Sequence, residues 1–101
     1  MNGPAVGPED VRHVLVVEDE PKLRSMLADN LEFEGYQVTA VASGEEGLTA
    51  SAHQAFALVI LDVMLPGISG FEVCRSLRER GTRVPIILLT ARTCVVCLLY
   101  T

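Results

Sequence analysis

Glu18, Asp19 and Glu20 stand in a row directly after the apolar run HVLVV (13–17). Asp62 directly follows ALVIL (57–61), and Thr90 directly follows PIILL (85–89). Short apolar runs of this kind suit strands that are covered on both faces. If the first and third such strands are neighbours, their ends lie about 5 Å apart, and Asp19 and Asp62 face each other. Two ionised carboxylates that close repel, so one must take up a proton or a cation must bind between them. The donors on offer are oxygens, with no His or Cys close by, which suits a hard ion such as Mg²⁺. A carboxylate at such an ion can attack phosphorus and become an acyl phosphate. A hydroxyl such as that of Thr90 can hold a phosphoryl oxygen meanwhile.

Positioning these groups requires an alternation of strands and helices, and the pattern provides one. After the first strand, 21–34 reads as a helix: Pro21 suits its first position, Leu23, Leu27 and Leu31 form one stripe with Met26 beside it, and Gly35 closes it. A second strand is expected over 36–42. Ser43 and Glu46 have capping-box spacing and open a helix near 44–51. A third strand, 57–61, is followed by a second capping box, Ser69 with Glu72, and a helix over about 70–80 that Gly81 ends. The fourth strand is 85–89. Such βαβ alternation predicts an α/β fold on a parallel sheet, with sites outside the C-terminal ends of strands. Eleven residues follow Thr90, too few for the crossover of about a dozen that a further parallel strand requires. The expectation is a four-stranded sheet with an open edge.

Composition narrows the function. The length, 101 residues, suits one domain, and half of the residues are apolar. A net charge of -5 argues against nucleic-acid contact by this segment, which needs clustered Lys and Arg. Residues 1–11 lack the features of a secretory signal and are expected to be a disordered leader. No run approaches the ~18 apolar residues of a membrane span, so a cytoplasmic protein with no membrane contact is expected. Three Cys in such a chain make a disulfide framework improbable. Cys94 and Cys97 form a CxxC, but zinc needs four ligands and Cys74, His13 and His53 are scattered; His13 reads as a strand residue and His53 as a loop residue. Three carboxylates after the first strand would repel a pyrophosphate where a dinucleotide fold has its Gly-rich turn. No GxxxxGK[ST] motif occurs. A phosphatase with an Asp nucleophile would carry a second Asp two residues on, where this chain has Met64.

Each chemical reading competes with a plainer one. Acids before a helix are favoured there in any case, so Glu18 to Glu20 alone could be a solvated loop. Asp62 alone could belong to the turn before Pro66-Gly67, and Thr90 could simply end a strand.

Three stretches taken together are more specific. VLVVEDEP (14–21), LVILDVMLPGISGFEVCR (58–75) and VPIILLTAR (84–92) resemble the receiver domain of bacterial two-component response regulators, closest to the subfamily with a winged-helix DNA-binding domain. The resemblance covers about 12–92. It implies a flavodoxin-like doubly wound sheet of order 2-1-3-4-5, the order the general rule for such sheets already illustrates with a member of this family. It implies that Asp62 accepts a phosphoryl group from a partner histidine kinase. By the same resemblance Glu18, Asp19, Asp62 and the backbone carbonyl of Met64 bind Mg²⁺, and Thr90 is the switch hydroxyl. Receiver–receiver pairing in a full-length parent and regulation of transcription are further implications. Such a protein is a regulated switch more than an enzyme. Members of the family continue with a fourth helix, a fifth strand, a Lys at its end and a fifth helix. None of these is recognisable here, so the order 2-1-3-4 without the fifth strand and last two helices is expected. Residues 93–101 (TCVVCLLYT) do not resemble the family, and 97–101 resemble the translation of a sequencing adapter. An inert truncated fragment is therefore the second functional expectation, and an Asp-nucleophile phosphatase the third.

Overall fold

A computed structural model of the chain describes residues 12–89 and the strand backbone of 94–97. The expected leader (1–11), Thr90 and the remainder of 91–101 lie outside the described residues.

Strands and helices alternate as β1 (His13–Val17), α1 (Pro21–Phe33), β2 (Gln37–Val41), α2 (Gly44–His53), β3 (Leu58–Asp62), α3 (Gly70–Glu79), β4 (Ile86–Leu89) and β5 (Cys94–Cys97). The sheet order is β2-β1-β3-β4-β5, and β2-β1-β3-β4 are parallel. The order 2-1-3-4 is the one the resemblance implies.

The expected bare edge on β4 is not observed. Cys94–Cys97 runs antiparallel along it, from Leu89↔Cys94 to Ile86↔Cys97. The crossover limit holds only for a parallel strand; an antiparallel partner needs just a short return.

Local chemistry sets the element ends. Pro21 opens α1, and the Glu20 side chain caps it by accepting from Leu23 N–H at 2.9 Å. Ser69 and Glu72 form the full capping box of α3. At α2 the Ser43 hydroxyl accepts from Glu46 N–H, whereas the Glu46 carboxylate reaches one residue further back, to Ala42 N–H. Gly35 (φ 99°) and Gly81 (φ 87°) follow α1 and α3 in the left-handed conformation that only Gly adopts readily. His53 is in the last turn of α2, not in a loop, and its Nδ1 lies 2.8 Å from Thr49 O.

Alternation along the strands divides the core. Leu15, Val17, Val59 and Leu61 join Val73, Cys74 and Leu77 of α3, with Leu48 of α2 against them. Val14, Val16 and Ile60 face the other way, onto Leu27 and Leu31 of α1. The α1 stripe is shallower than its spacing predicts: no α1 residue is fully buried, Leu23 is half-buried and Met26 is 51% exposed. Among the described helices only α1 packs on that face, so its flanks stay wet. No described helix is long and apolar enough to cross a membrane.

Candidate metal and phosphoryl site

Register brings the acids together. Val17 pairs with Leu61 at the C-terminal ends of β1 and β3, so the next residues, Glu18 and Asp62, emerge side by side. Glu18 N–H donates to Val41 O at 3.0 Å, which ties the turn after β1 to the end of β2. Glu20 N–H donates to Glu18 Oε2 at 3.1 Å and sets that side chain's direction. On β3, Met64 N–H donates to Asp62 Oδ1 at 2.9 Å and restrains the carboxylate. Glu18, Asp19 and Asp62 each offer an oxygen, and these atoms lie within 4.8 Å of one another.

The three differ in environment. Glu18 is 2% exposed, Asp62 half-buried and Asp19 exposed. Burial is the main reason that the Glu18 pKa is raised from 4.5 to about 7. The hydrogen bond from Glu20 N–H opposes the rise; the charge and hydrogen bonding of Asp62, and the charge of Asp19, add to it. Glu18 Oε1 is buried with no hydrogen-bond partner among the described residues, whereas buried polar atoms nearly always have one. A small hard divalent cation fits this donor set: it would supply the missing partner and relieve the repulsion.

Sequence reasoning set Asp19 opposite Asp62 and grouped Glu18 with them; the structure gathers all three. Met64 lies in the turn just beyond Asp62, its side chain 73% exposed. Thr90 lies outside the described residues; the residue before it, Leu89, pairs with Asp62 in the sheet. Glu20 caps α1 and is not in the cluster.

Two residues near the site were not singled out for it. Arg24 donates from Nη1 to Glu18 O at 2.9 Å and to Asp19 O at 3.4 Å. Its signal in the sequence was a cation in the first turn of a helix, where the dipole disfavours one. Gly70 opens α3, and a Cβ there would lie 2.3 Å from Asp62 O and 2.9 Å from Val63 Cα. Backbone on both counts cannot yield cheaply. Gly70→Ala is therefore expected to cost about 1–3 kcal/mol, read as a lower urea midpoint, and to displace Asp62. An unchanged midpoint would mean that the turn is looser than this packing shows.

Residues 14–96 match the family described as the response regulator receiver domain, and the chain belongs to that family. It is 55% identical over 80 residues to the uncharacterized transcriptional regulatory protein YkoG of Bacillus subtilis, covering 79% of this chain and 35% of that protein. It is 46% identical over 93 residues to the transcriptional regulatory protein TcrA of Mycobacterium tuberculosis, covering 92% and 37%. The chain thus spans about a third of the length of these curated relatives. Among solved structures, the response regulator TrrA of Thermotoga maritima in complex with Mg²⁺-BeF has a TM-score of 0.77 at 42% identity, over 82% of this chain and 72% of that one. TrrA has also been solved in complex with the histidine kinase ThkA (TM-score 0.76).

Proposed function

We propose that this chain receives a phosphoryl group on Asp62 from a histidine kinase, using Mg²⁺ held by Glu18, Asp19, Asp62 and the backbone carbonyl of Met64. The observation that carries this reading is the convergence of three carboxylates within 4.8 Å, one of them buried, at the ends of adjacent parallel strands. The Mg²⁺-BeF and kinase complexes of TrrA support it by likeness.

In this reading Met64 N–H holds one Asp62 oxygen while the other attacks phosphorus. A P–O bond to Asp62 forms, the bond from phosphorus to the kinase imidazole breaks, and the imidazole nitrogen keeps the electron pair. Mg²⁺ held by Glu18, Asp19 and Asp62 would offset the charge on the phosphoryl oxygens. Glu18, fixed by Glu20 N–H and Val41 O, keeps the acidic wall of the site in place as the group arrives. Thr90, one residue beyond the Leu89 that pairs with Asp62, supplies the hydroxyl that binds a phosphoryl oxygen and carries the change to the end of β4. The chain acts as a switch that contributes groups to its own phosphorylation, in the cytoplasm, within a longer protein whose output is transcription.

The test is intact mass after incubation with Mg²⁺ and a small acyl phosphate. One phosphoryl group should be gained, and chelating the Mg²⁺ should prevent it. A chain that remains unlabelled with Mg²⁺ present refutes the reading.

A further inference from the structure

Arg24 sits badly for a helix and well for the site. It lies in the first turn of α1, where the partial positive charge of the helix disfavours another cation. Yet its Nη1 donates to the backbone carbonyls of Glu18 and Asp19, at 2.9 and 3.4 Å. These are the two residues of that turn whose carboxylates join Asp62 in the cluster. Side-chain carboxylates that repel one another tend to splay the backbone that carries them. A guanidinium on both carbonyls opposes this without using up any carboxylate oxygen.

We infer that Arg24 is a positioning residue: it fixes the backbone of Glu18 and Asp19 so that their carboxylates stay directed at a divalent cation. The inference rests on the metal-binding reading above. It has a sign that simple electrostatics does not share. A positive charge near a cation site repels the cation, so a role through charge alone predicts tighter metal binding when Arg24 is removed. A positioning role predicts weaker binding.

Arg24→Met keeps much of the side-chain volume and loses both the charge and the hydrogen bonds. Titrating the full chain with Mg²⁺ in a calorimeter, the variant should bind about tenfold more weakly than wild type. The Mg²⁺-induced rise in its urea midpoint should shrink accordingly; a merely structural role would lower the midpoint with and without Mg²⁺ equally and leave that rise intact. Arg24→Lys keeps the charge as a flexible point donor, not a planar fork, and guards against a Met variant that fails to fold. It should bind several-fold more weakly than wild type. Affinity equal to or tighter than wild type in either variant overturns the inference. A wild-type chain that takes up no Mg²⁺ at all defeats the metal-binding reading itself, and so is distinguishable from failure of the Arg24 role alone.

Discussion

Asp62→Asn is expected to abolish phosphoryl labelling and, in the absence of divalent cations at about pH 8, to make the chain more stable than wild type. The two effects have one origin. A carboxamide oxygen is too weak a nucleophile to form the acyl phosphate, so labelling should fall to background and not merely slow. The same change removes one of three negative charges that lie within 4.8 Å. Like-charge repulsion of about one pKa unit corresponds to on the order of 1 kcal/mol, which the metal-free variant should recover. It should not recover everything, because burial, not Asp62, is the largest cause of the raised Glu18 pKa. With Mg²⁺ added the order should reverse, since wild type gains a ligand-bound state that the variant binds poorly. Intact mass and urea unfolding with and without Mg²⁺ check the pair of effects. A label that survives the substitution would remove Asp62 from the chemistry.

The parallel part of the fold was legible because each element carries its own punctuation. Apolar runs mark β1, β3 and β4, Pro21 and Ser69 open helices, and Gly35 and Gly81 close them. None of these signals depends on distant residues. The edge strand was not legible for the opposite reason. CVVC at 94–97 is a short apolar stretch whose pairing depends on the free edge of β4, and no local pattern says whether such a stretch will use it. The depth of α1 was overread likewise: a stripe of Leu23, Leu27 and Leu31 says which side faces the sheet, but not how much cover neighbouring elements give.

At the site, sequence type and topology named the three acids that the fold gathers, but not how burial divides them. Asp19 was paired with Asp62 because both follow strands and the strands could be neighbours. The register, Val17 to Leu61, instead sets Glu18 level with Asp62 and buries it, while Asp19 stays exposed. Register is a tertiary fact, and a one-residue offset exchanges the buried and solvated members of an acidic run. Arg24 carried only the faint signal of a cation in the first turn of α1, because its partners are backbone carbonyls, which every residue has.

That buried Glu18 makes stability depend on pH in a direction opposite to the usual acid. Its carboxyl has a pKa of about 7 when folded, against 4.5 ordinarily. Between those values the folded state holds a proton that the unfolded state has released. Stability changes with pH in proportion to the protons bound in the unfolded state minus those bound in the folded state; here that difference is negative. Metal-free stability should therefore fall as pH rises from about 5 to about 8, by about 1–3 kcal/mol from this group. Glu18→Gln removes the contribution, so wild type minus variant isolates it from every other titrating residue. Without Mg²⁺ the two stabilities should agree most closely at the acid end of the range, where the carboxyl is protonated, and the variant should be the more stable near pH 8. On the proposed metal reading the Glu18 proton and Mg²⁺ compete for the same oxygens, so Mg²⁺ should raise the wild-type midpoint at about pH 8 far more than at about pH 5.5. Urea midpoints of both proteins across that range measure all of this. A metal-free wild type that holds or gains stability relative to Glu18→Gln as pH rises would show that the carboxyl is not held against its charge by burial.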